Sequence, residues 1–182
     1  MKTKKLNVML AIGSCVASLV IISCSTLSLP KGATAISPFN KDEYLGKWYE
    51  IARLDFKYEK NLDNVTATYS INDNGSIKVD NRGYNYKKME WEQSIGKAKF
   101  IKDPTVARLK VSFFGPFYAA YNIIALDSEY QYALVVGNNL DYLWILSRTK
   151  TIPENIKSAY MQQAKDLGYD IDALVWNKHD KN

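Results

Sequence analysis

The chain has 182 residues, 47% of them hydrophobic and 13% aromatic, enough for one domain with its own core. Its 24 basic residues stand against 19 acidic ones, but Lys2, Lys4 and Lys5 lie at the very start, and without these three the balance is 21 to 19. A near-neutral body with scattered bases argues against nucleic-acid binding.

The only histidine is His179, and the only cysteines are Cys15 and Cys24. A Ser-His-Asp triad, a Cys-His pair and a multi-histidine zinc site are thereby excluded, and no metal or cofactor is expected. The basic start leads into a mostly apolar run of 17 residues, Leu6 to Ile22. That length falls between a secretory core and a membrane span. Its ending, Ile21-Ile22-Ser23-Cys24, resembles the lipobox of bacterial lipoproteins. The resemblance implies a signal peptide over residues 1–23 and acylation of Cys24. An uncleaved helix or a cut elsewhere is the alternative. Ser25, in place of Asp, implies sorting to the outer membrane by analogy with enterobacterial lipoproteins. After processing, no thiol and no disulfide remains.

Residues 24–40 read as the lipidated cysteine and a linker, and 41–182 as the domain. Turn signals then punctuate eight strand-like runs: 48–56, 65–71, 77–84, 89–101, 108–114, 117–126, 130–137 and 142–148. "NDNGS" at 72–76 is a tight hairpin turn. Short connections imply antiparallel neighbours, and eight such strands suggest a closed up-and-down β-barrel or a sandwich. Thr151-Ile152-Pro153-Glu154 has the form of a capping box with Thr151 as N-cap. Ile152, Ile156, Ala159, Tyr160, Ala164 and Leu167 follow at helical spacing, Gly168 suits the C-terminal cap, and 173–176 suits a short closing strand. This helix is expected to pack on the outer wall.

Three blocks now resemble the lipocalin family. They are Gly46-Lys47-Trp48-Tyr49-Glu50, then Leu126-Asp127-Ser128-Glu129-Tyr130 in the place of a Thr-Asp-Tyr turn, and Trp144-Ile145-Leu146-Ser147-Arg148. Leu126 departs from the usual Thr. The likeness runs over residues 38–177 and is strongest to the bacterial outer-membrane, apolipoprotein D-like (Blc-type) branch. It implies an all-β, eight-stranded antiparallel barrel with one C-terminal α-helix outside. Gly46, Trp48, Asp127, Tyr130 and Arg148 are the structural motif, with Trp48 as floor and Arg148 lying on its indole face.

Alternation along barrel strands then sets which side chains face inward. Trp48 inward places Glu50, Ala52 and Leu54 inward. Arg148 places Leu146, Trp144 and Tyr142 inward. Alignment places Tyr118, Ala120, Asn122 and Ile124 inward. The candidate ligand-binding residues are therefore Glu50, Tyr118, Asn122, Tyr142 and Trp144, against the plainer reading that they fill the barrel. The expected partner is a fatty acid or lysophospholipid, with the membrane reached through Cys24 and a homodimer left open. A lipid-modifying enzyme with Glu50 as base, or a scaffold with a filled barrel, are the competing functions. The Phe113–Tyr118 turn reads either as an apolar patch touching membrane or a second subunit, or as a lid.

Overall fold

The computed structural model describes residues 27–181. Residues 1–26, which hold the apolar run and Cys24, lie outside them, as does Asn182. After a short helix α1 (Lys41–Tyr44) come eight strands: β1 (Gly46–Leu54), β2 (Leu62–Ile71), β3 (Ile77–Asn85), β4 (Glu90–Phe100), β5 (Arg108–Ser112), β6 (Ala119–Leu126), β7 (Tyr132–Val136) and β8 (Leu143–Ser147). Helix α2 (Glu154–Asp166), a 3₁₀ turn and β9 (Leu174–Trp176) complete the chain. Each of the eight strands pairs antiparallel with its sequence neighbour, and β1 also pairs with β8, so the sheet closes into the expected barrel.

Alternation produces two apolar layers from one wall. Trp48, Tyr69, Leu109, Ile123, Val135 and Leu146 meet inside the barrel. Leu134, Val136, Leu143 and Ile145 point outward and are covered by Tyr160 and Ala164 of α2. The helix stripe works as expected except at Ala159, which is exposed. The helix starts differently. Pro153 is its N-cap and makes no side-chain cap bond, while the Thr151 carbonyl accepts from Ser147 Oγ at 2.8 Å. With that stretch held against the end of β8, Thr151 lies two residues before the N-cap position and cannot fill it. The far end matches its expected chemistry. Gly168 takes φ +93°, its N–H reaches Lys165 O, and the Tyr169 N–H reaches Ala164 O.

Both chain ends are built into the wall. Residues 27–40 were read as part of a linker, yet Leu29 and Ala33 pack with the outer layer. Ile36 bonds both Ala107 and Ile123 through its backbone, wedging between the start of β5 and the later half of β6. Phe39 continues into the interior. At the other end, β9 pairs with Ala52–Leu54 just where β2 leaves β1. Asn177 N–H then bonds Ile51 O, and Asn64 N–H bonds Lys178 O, so the C-terminal tail seals the gap between β1 and β2.

Two bulges overturn part of the expected register. In β1 an extra residue lies between Glu50 and Ala52 in the pairing with β8. A bulge inserts one residue and exchanges faces beyond it. Trp48 and Glu50 stay inward, but Ala52 and Leu54 join the outer layer under α2. Arg53, opposite Trp144, takes the inward position instead. In β6 the extra residue lies between Ile123 and Ala125 in the pairing with β7, and the parity before it is off by one. Tyr121 and Ile123 belong to the inner layer, and Ile124 to the outer one.

Candidate functional site

The floor of the barrel is built by the three sequence blocks. Trp48 is fully buried and donates its indole N–H to Tyr44 O at 2.9 Å. The Arg148 guanidinium lies 3.9 Å from its ring centre and donates to Tyr130 O, Lys47 O and Glu43 O at 3.1, 3.0 and 2.7 Å. Gly46 has φ +93°, and a Cβ there would lie 3.4 Å from the guanidinium. Asp127 accepts the N–H groups of Gln131 and Tyr132, which tightens the β6–β7 turn and delays β7 to Tyr132. Because one side chain holds three separate segments, Arg148→Ala is expected to cost about 2–4 kcal/mol in urea unfolding. A loss below about 0.5 kcal/mol would show that the closure stands without it.

Above the floor is a layer of tyrosines. Tyr121 Oη lies 2.7 Å from Tyr44 Oη and 2.8 Å from Tyr69 Oη. Burial pushes all three phenols above their ordinary range, so they stay protonated at neutral pH. Over this layer lies a small cavity of about 40 Å³, with Val65, Ala67 and Leu146 as apolar wall and Glu50, Asn81 and Trp144 as polar or aromatic wall.

A charged cluster borders that cavity. Arg53 is 1% exposed and donates to Glu50 Oε1 at 2.9 Å, to Glu59 O at 2.7 Å and to Leu62 O at 3.2 Å. Glu59 arrives from the β1–β2 loop, where its Oε2 accepts the Trp144 indole N–H at 3.0 Å. Asn177, carried in by the C-terminal tail, donates to Glu50 Oε1 at 2.6 Å. Burial raises the Glu50 pKa, with Arg53 pulling against it. Glu59 is pushed up to about 8 by burial and by the Glu50 charge, against the indole bond and Arg53. At neutral pH Glu59 therefore keeps its proton, and the Arg53 guanidinium lies between Glu50 and Asp55, whose Oδ1 is 3.4 Å from Arg53 Nη2. Arg53 Nε, Asn81 Oδ1 and Asn177 Oδ1 are buried without a hydrogen-bond partner among protein atoms. Such groups are places for a ligand's polar end or for water.

The expected site residues divide accordingly. Glu50 and Trp144 meet at the cavity. Tyr142 is half-buried at the mouth, stacked on Trp144 with ring centres 6.3 Å apart, and Phe56 packs edge-on against both. Asn122 does not face the cavity. It is buried in the outer face, donating to Gly137 O at 3.0 Å and accepting from Arg108 Nε at 3.4 Å. Tyr118 precedes β6 and lies on the outside with Lys110, whose Nζ is 5.1 Å from its ring centre. The inward hydroxyl on β6 is that of Tyr121, and Asn122 instead satisfies carbonyls at the end of β7.

Arg53, Glu59, Asn81 and Asn177 escaped the sequence reading. Glu50 and Arg53 stand three apart in one strand, which regular alternation puts on opposite faces; only a bulge brings them together. Two opposite charges inside the apolar run Tyr49–Leu54 were the available signal. Among the described residues no group of three metal-binding side chains comes together, and no helix is long and apolar enough to cross a membrane.

Known proteins share this architecture and this sequence. The Lipocalin-like domain family model matches residues 39–179. The outer membrane lipoprotein Blc of Citrobacter freundii is 47% identical over 95% of this chain and 98% of its own. That of Escherichia coli K12 is 48% identical over 91% and 93%. Apolipoprotein D of Rattus norvegicus is 37% identical over 63% and 64%. Insecticyanin from Manduca sexta shares the fold at a TM-score of 0.67 and 17% identity, over 83% of this chain and 86% of that one. Relatives matching this chain almost end to end carry the outer membrane in their names, and this protein resides there as well. With a family model across its barrel and relatives of this closeness over nearly its whole length, the chain belongs to the lipocalin family.

Proposed function

We propose that the chain holds a single-chain lipid, a fatty acid or a lysophospholipid, inside its barrel, for storage or transport in membrane maintenance or stress. Acylation of Cys24 would fasten it to the outer membrane. The observation that carries this reading is the cavity itself: apolar wall on β2 and β8, and at its border a hydrogen-bonded Glu50–Arg53–Glu59 cluster with unpaired polar atoms beside it. An acyl chain that enters loses water at about 0.8 kcal/mol per methylene, and the polar end finds partners near the mouth.

Binding rather than catalysis is the reading the side chains favour. The Glu50 carboxylate is tied to Arg53 and Asn177, and the interior tyrosines stay protonated, so neither is placed as a base. The test is to titrate the body, residues 27–182, with a fluorescent fatty acid. Saturable one-to-one binding is expected, weakened about tenfold by Trp144→Ala because the indole forms part of the cavity wall. Absence of saturable binding would end the proposal. Turnover of a lipid substrate that is lost in Glu50→Gln would replace it with the enzymatic reading.

A further inference from the structure

Most of the large apolar side chains exposed among the described residues lie in one region. Of the nine large apolar side chains exposed among the described residues, Tyr58, Tyr86, Met89, Phe114, Phe117 and Leu140 lie on the four connections around the open end. The β5–β6 hairpin stands out, with Phe114 66% and Phe117 78% exposed. Apolar groups this exposed on one rim mark a contact surface. Lysines accompany them: Lys57 lies 4.6 Å from the Tyr58 ring centre, Lys87 5.9 Å from that of Tyr86, and Lys110 5.1 Å from that of Tyr118. Aromatic rings beside lysines suit the headgroup layer of a bilayer, where the ring enters and the ammonium meets phosphate.

The place where the described chain begins selects the occupant. Arg108 Nη2 donates to Leu27 O at 2.9 Å, which pins Leu27 to the outer face of β5. Leu27 is three residues after Cys24, so at most about 10 Å of chain separates them. Lipid chains on Cys24 would thus hold the outer face of the β5–β6 hairpin against the bilayer. The tip of the same hairpin lies five or six residues farther along β5 and β6, about 20 Å away.

We infer that the β5–β6 hairpin is the membrane-facing edge of the barrel: Phe114 and Phe117 enter the headgroup layer of the bilayer that holds the anchor, with Lys110 on the phosphates, and the open mouth is kept at the lipid surface. This rests on the proposed acylation of Cys24. It makes the hairpin a docking surface rather than a lid, and gives a single-chain lipid a path from bilayer to cavity without crossing water.

The test uses the full acylated lipoprotein in vesicles of phosphatidylethanolamine and phosphatidylglycerol. Phe117→Cys supplies the one free thiol for an environment-sensitive dye, and Asp73→Cys, on the β2–β3 turn at the opposite end, is the reference. Mass spectrometry of the amino-terminal peptide precedes labelling. The expected result is blue-shifted emission at 117 with at least twofold stronger quenching by nitroxide-bearing lipid than at 73. Label at 117 that stays aqueous on acylated protein overturns this inference alone and leaves lipid binding standing. An unacylated terminus overturns both this inference and the anchoring part of the proposed function. A blue shift that grows with protein density and is insensitive to nitroxide lipid would identify a second copy of the chain as the occupant, and also overturns it. Independently, Phe114→Ser with Phe117→Ser should slow uptake of a fluorescent fatty acid from the vesicles about five- to tenfold, while its affinity for the same fatty acid free in buffer is unchanged. Equal uptake rates would count against the hairpin.

Discussion

Replacing Arg53 by Met is expected to destabilise the barrel by about 3–5 kcal/mol, one of the largest losses from any single substitution outside the floor. The reason is what the guanidinium leaves behind. Arg53 is 1% exposed, and its donors satisfy a buried carboxylate and two loop carbonyls. Without it, Glu50 retains Asn177 as its side-chain partner at 4% exposure, and the carbonyls of Glu59 and Leu62 lose a donor. Removing one member of a buried pair costs more than the pair itself contributes, because the stranded charge stays dehydrated. Arg53→Met combined with Glu50→Gln should therefore recover at least half the loss. Arg53→Lys should recover less, since one ammonium cannot serve Glu50 and both carbonyls in the geometry of a planar fork. Urea unfolding of the four proteins at pH 7 measures all of this. If Arg53→Met costs under about 1 kcal/mol, the cluster is not a structural support of β1 and its loop.

That cluster also marks where reading the sequence stops. Gly46, Trp48 and Arg148 could be placed because their roles are local and chemically narrow: a positive φ, a large floor and a cation over it. The strands could be placed because turn residues and alternation are local signals. The register could not, beyond the first bulge. Ile51 is one inserted residue, yet it decides that Arg53, rather than Ala52 and Leu54, shares the interior with Glu50. Parity has no local signature when both faces of a strand are covered, as they are here by the inner layer and by α2. The same holds for β6, where Tyr121 is partly buried inside and Asn122 is buried outside. Glu59 and Asn177 reach Trp144 and Glu50 from a loop and from the C-terminal tail, and loop paths leave no periodicity to read. The tail's place between β1 and β2 depends on those strands parting, which is itself a consequence of the closed geometry.

Stability of the body should fall as pH rises from about 6.5 to 8.5, and Glu59→Gln should remove most of that fall. Glu59 has a folded pKa of about 8, above its value in an unfolded chain. A group shifted in this direction favours the folded state at low pH, and that contribution is lost as pH climbs through the folded pKa, because the fold must then hold a second buried carboxylate beside Glu50. His179 acts in the opposite sense. Burial lowers its pKa, so its contribution is lost on acidification below about 6.5, and the two effects oppose one another between about pH 4.5 and 6.5. Above 6.5 the glutamate dominates, at up to about 1.4 kcal/mol per pH unit while the fold keeps the proton, and the fall levels off above the folded pKa of about 8. The Glu59 side chain is 13% exposed, and water there trims the total to about 1–2 kcal/mol by pH 8.5. Gln keeps an acceptor for the Trp144 indole and carries no proton to lose, so the variant should gain on the parent steadily from pH 6.5 to about 8 and hold a constant lead above that. Parallel urea midpoints across that range would show that Glu59 is already ionised in the fold. The same ionisation bears on the ligand. Above pH 8 Glu59 adds a buried negative charge beside Trp144 and Arg53, and a fatty-acid carboxylate is repelled. Affinity for a fatty acid should therefore weaken between pH 7 and 9 in the parent and stay level in Glu59→Gln, a difference that a single fluorescence titration at each pH reads directly.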